Sequence, residues 1–122
     1  MVDLNSVQGV RNIAFALLLL IMPQITNSDV IKALSGCVDP EIGINIIDLG
    51  LVHWIKIDSA NNVDIRMTMT SPMCPVTSVI LADAQLRIER IQGIGNVNIE
   101  LVWEPAWSPE MISEEARLNL QV

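Results

Sequence analysis

Two of the 122 residues carry thiols, and one of them stands where a thiol could react. Cys74 closes the segment Thr70-Ser71-Pro72-Met73-Cys74-Pro75, after an alternating polar and apolar run and before a stretch of helical periodicity. Proline suits the first turn of a helix, because the N–H it lacks would have no partner there. The spacing therefore predicts Cys74 at the N-cap, with Pro75 as the first helical residue. Unpaired N–H groups and the helix dipole at that position favour negative charge. They would stabilise a thiolate, the form that binds metal and attacks sulfur. The plainer reading is a buried structural cysteine, since free Cys is among the most buried residue types. Cys37 follows Gly36, a helix-ending glycine, and leads into a turn. A helix C-terminus disfavours a thiolate, so Cys37 reads as structural. A disulfide between the two is allowed by the count and required by nothing in it.

The other candidates are weaker. His53 is the sole histidine and alternates in phase with Ile55 and Ile57, so it reads as a satisfied strand residue before it reads as a ligand. Asp39, Glu41 and Asp48 could pair for acid–base work, although turn and cap hydrogen bonding is their more ordinary role. Trp103 and Trp107 either pack or anchor an interface. There is no CxxC, no Gly-rich phosphate loop and no Ser-centred elbow. Closed zinc coordination and enzymatic catalysis therefore have little support.

These residues need elements to position them. Thr26 with Asp29 resembles a capping box, and Val30, Ile31 and Leu34 follow at helical spacing up to Gly36. Asp39-Pro40-Glu41-Ile42-Gly43 is a turn. Leu51 to Asp58 reads as a strand, Asp58 to Asn62 as a turn, and Val63 to Thr70 as a second strand paired with the first in a hairpin. From Pro75 to about Gln92 the apolar residues Val76, Ile80, Ala84 and Ile88 form a helical stripe. Val97, Ile99 and Leu101 alternate as a third strand. Trp103 to Trp107 is irregular, and Ser108-Pro109-Glu110 predicts the start of a last helix. The order implies an α+β fold: a two-layer sandwich of a small mixed or antiparallel sheet with helices on one face.

Composition bounds the function. One domain fits this length, and 51% apolar residues can build its core without disulfides or structural metal. A net charge of −7 argues against a nucleic-acid partner, which calls for a basic face. The apolar run from Ile13 to Met22 is too short for a membrane span. Residues 1–25 thus form an apolar N-terminal extension. It is an extra helix, a start-site artefact with Met22 as the natural first residue, or, least in keeping with its flanks, an export signal. Residues 26–122 form the domain.

Several of these segments together look familiar. Asp39-Pro40-Glu41-Ile42-Gly43, Ile47-Asp48-Leu49-Gly50-Leu51-Val52, Thr68-Met69-Thr70, Cys74-Pro75 and Trp103-Glu104-Pro105-Ala106-Trp107-Ser108 resemble, in this order, the SufT/PaaD-type iron–sulfur assembly factors. The resemblance runs from about Thr26 to the C-terminus. It implies a domain similar to the C-terminal domain of NifU-like scaffolds, without their CxxC. It places the family's reactive cysteine on Cys74 and its acidic turn on Asp39 and Glu41, with Thr70 and Asp48 as supporting residues. His53 departs from the pattern, standing where the family usually has an aromatic residue. No cysteine-rich C-terminal extension precedes Val122, which favours the general assembly branch over the phenylacetate one.

The expectation is a non-enzymatic, cytoplasmic accessory factor whose Cys74 thiolate transiently holds iron, a cluster edge or a persulfide, with no cofactor bound stably. Its partners would be iron–sulfur client proteins or assembly machinery, with a homodimer as one geometry and neither nucleic acid nor a membrane span. The rivals are a docking module with a structural Cys74 and Trp103 and Trp107 as its surface, and a thiol enzyme using His53 as base.

Overall fold

The computed structural model describes residues 23–120 and, before them, only Ile13 and Leu17, both helical and exposed. The expected N-terminal extension otherwise lies outside the described residues up to Met22. Helix α1 (Asn27–Leu34) begins as its sequence predicts. Thr26 Oγ1 accepts from the Asp29 N–H at 3.2 Å, and the Asp29 carboxylate accepts from the Thr26 N–H at 2.9 Å. The reciprocal pair satisfies two donors that a helix start leaves open. Val30 and Leu34, one turn apart, are buried.

Strands β1 (Val52–Ile57) and β2 (Val63–Met67) form the expected antiparallel hairpin, with Ile55 opposite Ile65 and Ile57 opposite Val63. The Asp58 carboxylate closes the turn by accepting from the N–H groups of Ala60 and Asn62, both at 2.9 Å. Helix α2 (Thr77–Glu89) then crosses back, and β3 (Val97–Leu101) joins β2 in parallel. The result is a mixed three-stranded sheet in the order β1-β2-β3. Val63, Ile65 and Met67 bury against Val30 and Leu34 of α1 and Ile80, Ala84 and Ile88 of α2. The other face carries Trp54, Lys56, Asp64, Arg66, Asn98 and Glu100. There Lys56 and Arg66 lie 4.6 and 4.8 Å from the Trp54 ring, and Arg66 pairs with Glu100. One buried face and one wet face make this the two-layer α+β architecture.

Three boundaries differ from expectation. Strand β2 ends at Met67 rather than Thr70, with one further bond from the Thr68 N–H to the Leu51 carbonyl beyond it. A β-bulge between Val52 and Trp54 takes His53 out of the ladder with β2. The last helix does not start at Pro109. Pro109–Met111 is a separate 3₁₀ turn, and α3 (Glu114–Leu120) begins after extended backbone at Ile112. The Ser113 N–H donates to the Asp48 carbonyl at 2.7 Å, a long-range bond that pulls the chain out of helix there.

Candidate functional site

Parallel pairing sends β2 and β3 out at the same edge of the sheet. Antiparallel pairing starts β1 there, and the crossover begins α2 there. Four segments therefore gather at one end: the Ile46–Leu51 approach to β1, the Thr68–Val76 loop, the first turn of α2 and the Val102–Ser113 connection. In sheets with helical crossovers this carboxyl edge is where ligand sites usually form.

Cys74 sits in the second segment, half-buried and reduced. It is not the N-cap. The helical ladder starts from the Val76 carbonyl, which accepts from Ile80 N–H, so Val76 is the N-cap and Thr77 the first helical residue. The Cys74 backbone belongs instead to the loop. Its N–H donates to the Ser71 carbonyl at 3.1 Å, and its carbonyl accepts from Thr77 Oγ1 at 2.9 Å. With the carbonyl taken by a side chain, the Pro75-Val76 turn intervenes before the helix. Among the described residues the Sγ accepts and donates no hydrogen bond. The neighbouring Met73 is 85% exposed, so the loop lifts its tip into solvent.

The two cysteines have opposite surroundings. Cys37 is fully buried, and its thiol donates to the Ile80 carbonyl at 3.7 Å in the first turn of α2. Burial first, and then the carboxylate of Asp83, push its pKa up to about 12. It is held as a neutral thiol, in keeping with a structural role.

Asp39 is also buried. Its Oδ1 accepts from Glu41 N–H at 2.9 Å, and its carbonyl accepts from Ile42 and Gly43 in the turn. Glu41 is exposed. Asp48 is tied elsewhere, accepting from Asn45 Nδ2 at 2.7 Å and from Ser113 Oγ at 3.0 Å. Thr70 is half-buried at the start of the thiol loop. Thr68 alternates in phase with Arg66 and Thr70, and no local sequence signal marks it as a site residue. It is fully buried, and its Oγ1 has no hydrogen-bond partner among the described residues. Among those residues, no three His, Cys, Asp or Glu side chains gather closely enough to hold a metal ion.

The Val102–Ser113 connection is stitched back over this end. His53 Nε2 donates to the Pro105 carbonyl at 2.9 Å, because a carbonyl only accepts. Trp107 Nε1 donates to the Leu49 carbonyl at 2.6 Å, and its ring packs on the core. The two tryptophans thus part ways: Trp107 is a packing residue, while Trp103 is 41% exposed. With the proton on Nε2, Nδ1 is the acceptor nitrogen of the ring.

A mixed three-stranded sheet, backed by two helices and carrying at its carboxyl edge a loop thiol with no hydrogen bond among the described residues, defines a small α+β thiol-bearing domain. The chain belongs to the iron–sulfur cluster assembly protein family, whose model matches residues 27–101. An Fe-S protein maturation auxiliary factor of Porphyromonas gingivalis is 38% identical over 95 residues, covering 78% of this chain and 90% of that protein. The Fe-S protein maturation auxiliary factor SufT of Staphylococcus aureus is 34% identical over 85 residues, covering 70% of this chain and 97% of that protein. The solved structure of a conserved hypothetical protein from Thermotoga maritima superposes with a TM-score of 0.72 at 45% identity, covering 81% of this chain and 97% of that one.

Proposed function

We propose that this protein is a non-enzymatic accessory factor in iron–sulfur cluster assembly or delivery, and that Cys74 is its contact with the cargo. The observation that carries the reading is the setting of that thiol: in no disulfide, half-buried, without a hydrogen bond among the described residues and placed on a loop at the carboxyl edge of the sheet. A sulfur in this setting can donate an electron pair to iron with no hydrogen bond to a described residue to break. One thiolate does not complete the coordination of a [2Fe–2S] centre, so the remaining ligands come from a client, a second copy or a small thiol. Transient holding follows from that shortfall. Asp39 shapes the adjoining acidic turn, and Thr70 and Asp48 support the loops on either side.

Cells lacking the protein should show reduced aconitase activity, restored by wild type and not by Cys74→Ser at equal protein level. Restoration by Cys74→Ser would sink the thiol mechanism. It would favour the second reading, a docking module, which the exposure of Met73 and Trp103 supports.

A further inference from the structure

The charges of this molecule are distributed unevenly between its two ends. Its acidic residues number fourteen and its basic residues seven. No Lys or Arg stands among residues 36–55, 67–86 or 101–116, the stretches that build the thiol end and the strand and helix turns beside it. Two of the described basic residues, Arg87 and Arg117, reach its margins, and the others stand on neighbouring elements. Lys32 is in the last turn of α1, Lys56 and Arg66 are over Trp54 on the wet face, and Arg87 pairs with Asp83 while its guanidinium lies against Gly36. Arg90 caps α2 at its far end. Arg117 also reaches back, donating to the carbonyls of Pro109 and Ile112, where its charge acts on Glu110. Glu41, on the turn that leads into the Ile46–Leu51 segment, and Glu104, on the connection after β3, are exposed and take part in no ion pair among the described residues.

Apolar side chains stand out of the same loops. Met73 is 85% exposed on the thiol loop, and Trp103 is 41% exposed on the connection that leaves β3 beside it. Flexible Met and large aromatic residues are the side chains that protein interfaces favour, and charge around them selects the partner. Like charge opposes three occupants. Nucleic acid and anionic lipid are repelled by this end, and face-to-face pairing of two copies would set Glu104 against Glu104.

We propose that the thiol end, anchored by Met73 and Trp103 and rimmed by Glu41 and Glu104, docks a basic polypeptide segment in which Lys or Arg residues flank an apolar side chain. This rests on the proposed function in placing the partner's segment next to Cys74, and it names the chemistry of that partner. The recognition itself does not use the thiol.

The test measures binding of a fluorescent twelve-residue peptide with lysines flanking a central pair of leucines, against the same peptide with glutamate in place of lysine, by anisotropy with the full chain. The lysine peptide should bind at least tenfold more tightly. Its affinity should fall about tenfold in Trp103→Ala, and by several-fold in Met73→Ala, whose exposure makes misfolding a minor concern. Glu41→Lys with Glu104→Lys should abolish it, whereas Glu89→Lys with Asp64→Lys, equal in charge and remote, should leave it within twofold. NMR shifts should centre on residues 39–43, 71–76 and 102–107. Cys74→Ser should bind as wild type does, so a failed thiol mechanism and a failed docking surface give different results. Equal loss in the remote double variant would mean non-specific attraction and would overturn the proposal. So would indifference to Trp103→Ala and Met73→Ala together, or self-association through this end that Trp103→Ala abolishes.

Discussion

A buried hydroxyl with no partner lowers stability by about 1–3 kcal/mol relative to an apolar group of the same shape, and Thr68 carries one just beyond β2. Thr68→Val keeps the shape and removes the orphaned oxygen. Urea denaturation should show the variant at least as stable as wild type, by up to about 1 kcal/mol. A loss of more than about 1 kcal/mol would mean that the hydroxyl has found a partner in solution, such as a bound water. Cys37 makes a second prediction through its proton. The unfolded chain releases a thiol proton near pH 8.5–9, while the folded protein holds this one up to about 12. A raised pKa means that the folded state keeps a proton the unfolded state has lost. The contribution is complete below the unfolded pKa, and stability then falls as pH rises from about 9 towards 12. Roughly 2–4 kcal/mol is involved over the whole interval. Denaturation midpoints between pH 8 and 10.5 should fall more steeply for wild type than for Cys37→Ala. Parallel slopes would show that the thiol titrates alike in both states.

At the scale of elements, the approach to β1 depends on one backbone conformation. Gly50 has φ +77, a region that costs an L-residue about 1–2 kcal/mol, and a Cβ there would run into the Met111 carbonyl of the 3₁₀ turn. Gly50→Ala should therefore lower stability by about 2 kcal/mol or more, read by thermal melting with the loss of Trp107 burial followed by fluorescence. A change below about 0.5 kcal/mol would mean that the 3₁₀ turn moves aside freely. The regular elements around this joint were legible in the chain because their signals are local. Thr26 and Asp29 cap α1 within one turn, Val63, Ile65 and Met67 alternate onto the core, and Ile80, Ala84 and Ile88 repeat at helical spacing. What escaped the sequence depends on distant partners. The bulge at His53 goes with a bond to Pro105, 52 residues away, and the break before α3 with a bond between Ser113 and Asp48. The N-cap shift at Cys74 has a subtler origin, since Thr77 takes the Cys74 carbonyl and Pro75 alone does not reveal it. The candidate site was thus legible as a set of residues but not as a geometry: Asp39 is buried in its turn, Asp48 is spent on Ser113, and Trp107 faces inward.

At the scale of the whole molecule, the balance between attraction and repulsion is set by a net charge of −7. The described residues hold two ion pairs, Arg66–Glu100 and Arg87–Asp83. Their side chains are between 37% and 53% exposed. Pairs so exposed contribute roughly 0–1 kcal/mol each, and salt weakens them. Against them stand fourteen carboxylate side chains on a 122-residue chain, with an end that has no Lys or Arg in the loops forming it. Self-repulsion among these charges acts on the compact state more than on the expanded one, and the same salt screens it, with a Debye length near 10 Å at 0.1 M. The repulsive term is the more numerous and spans longer distances, so it should win. Raising sodium chloride from about 20 mM to about 500 mM should increase the melting temperature by a few degrees, since about 1 kcal/mol moves a domain of this size by about 3–6 °C. A lower melting temperature in high salt would show that the two pairs and the cation–π contacts at Trp54 outweigh the repulsion. Reversing Glu41 and Glu104 to lysine should then reduce the salt response, because both are exposed carboxylates outside any ion pair among the described residues.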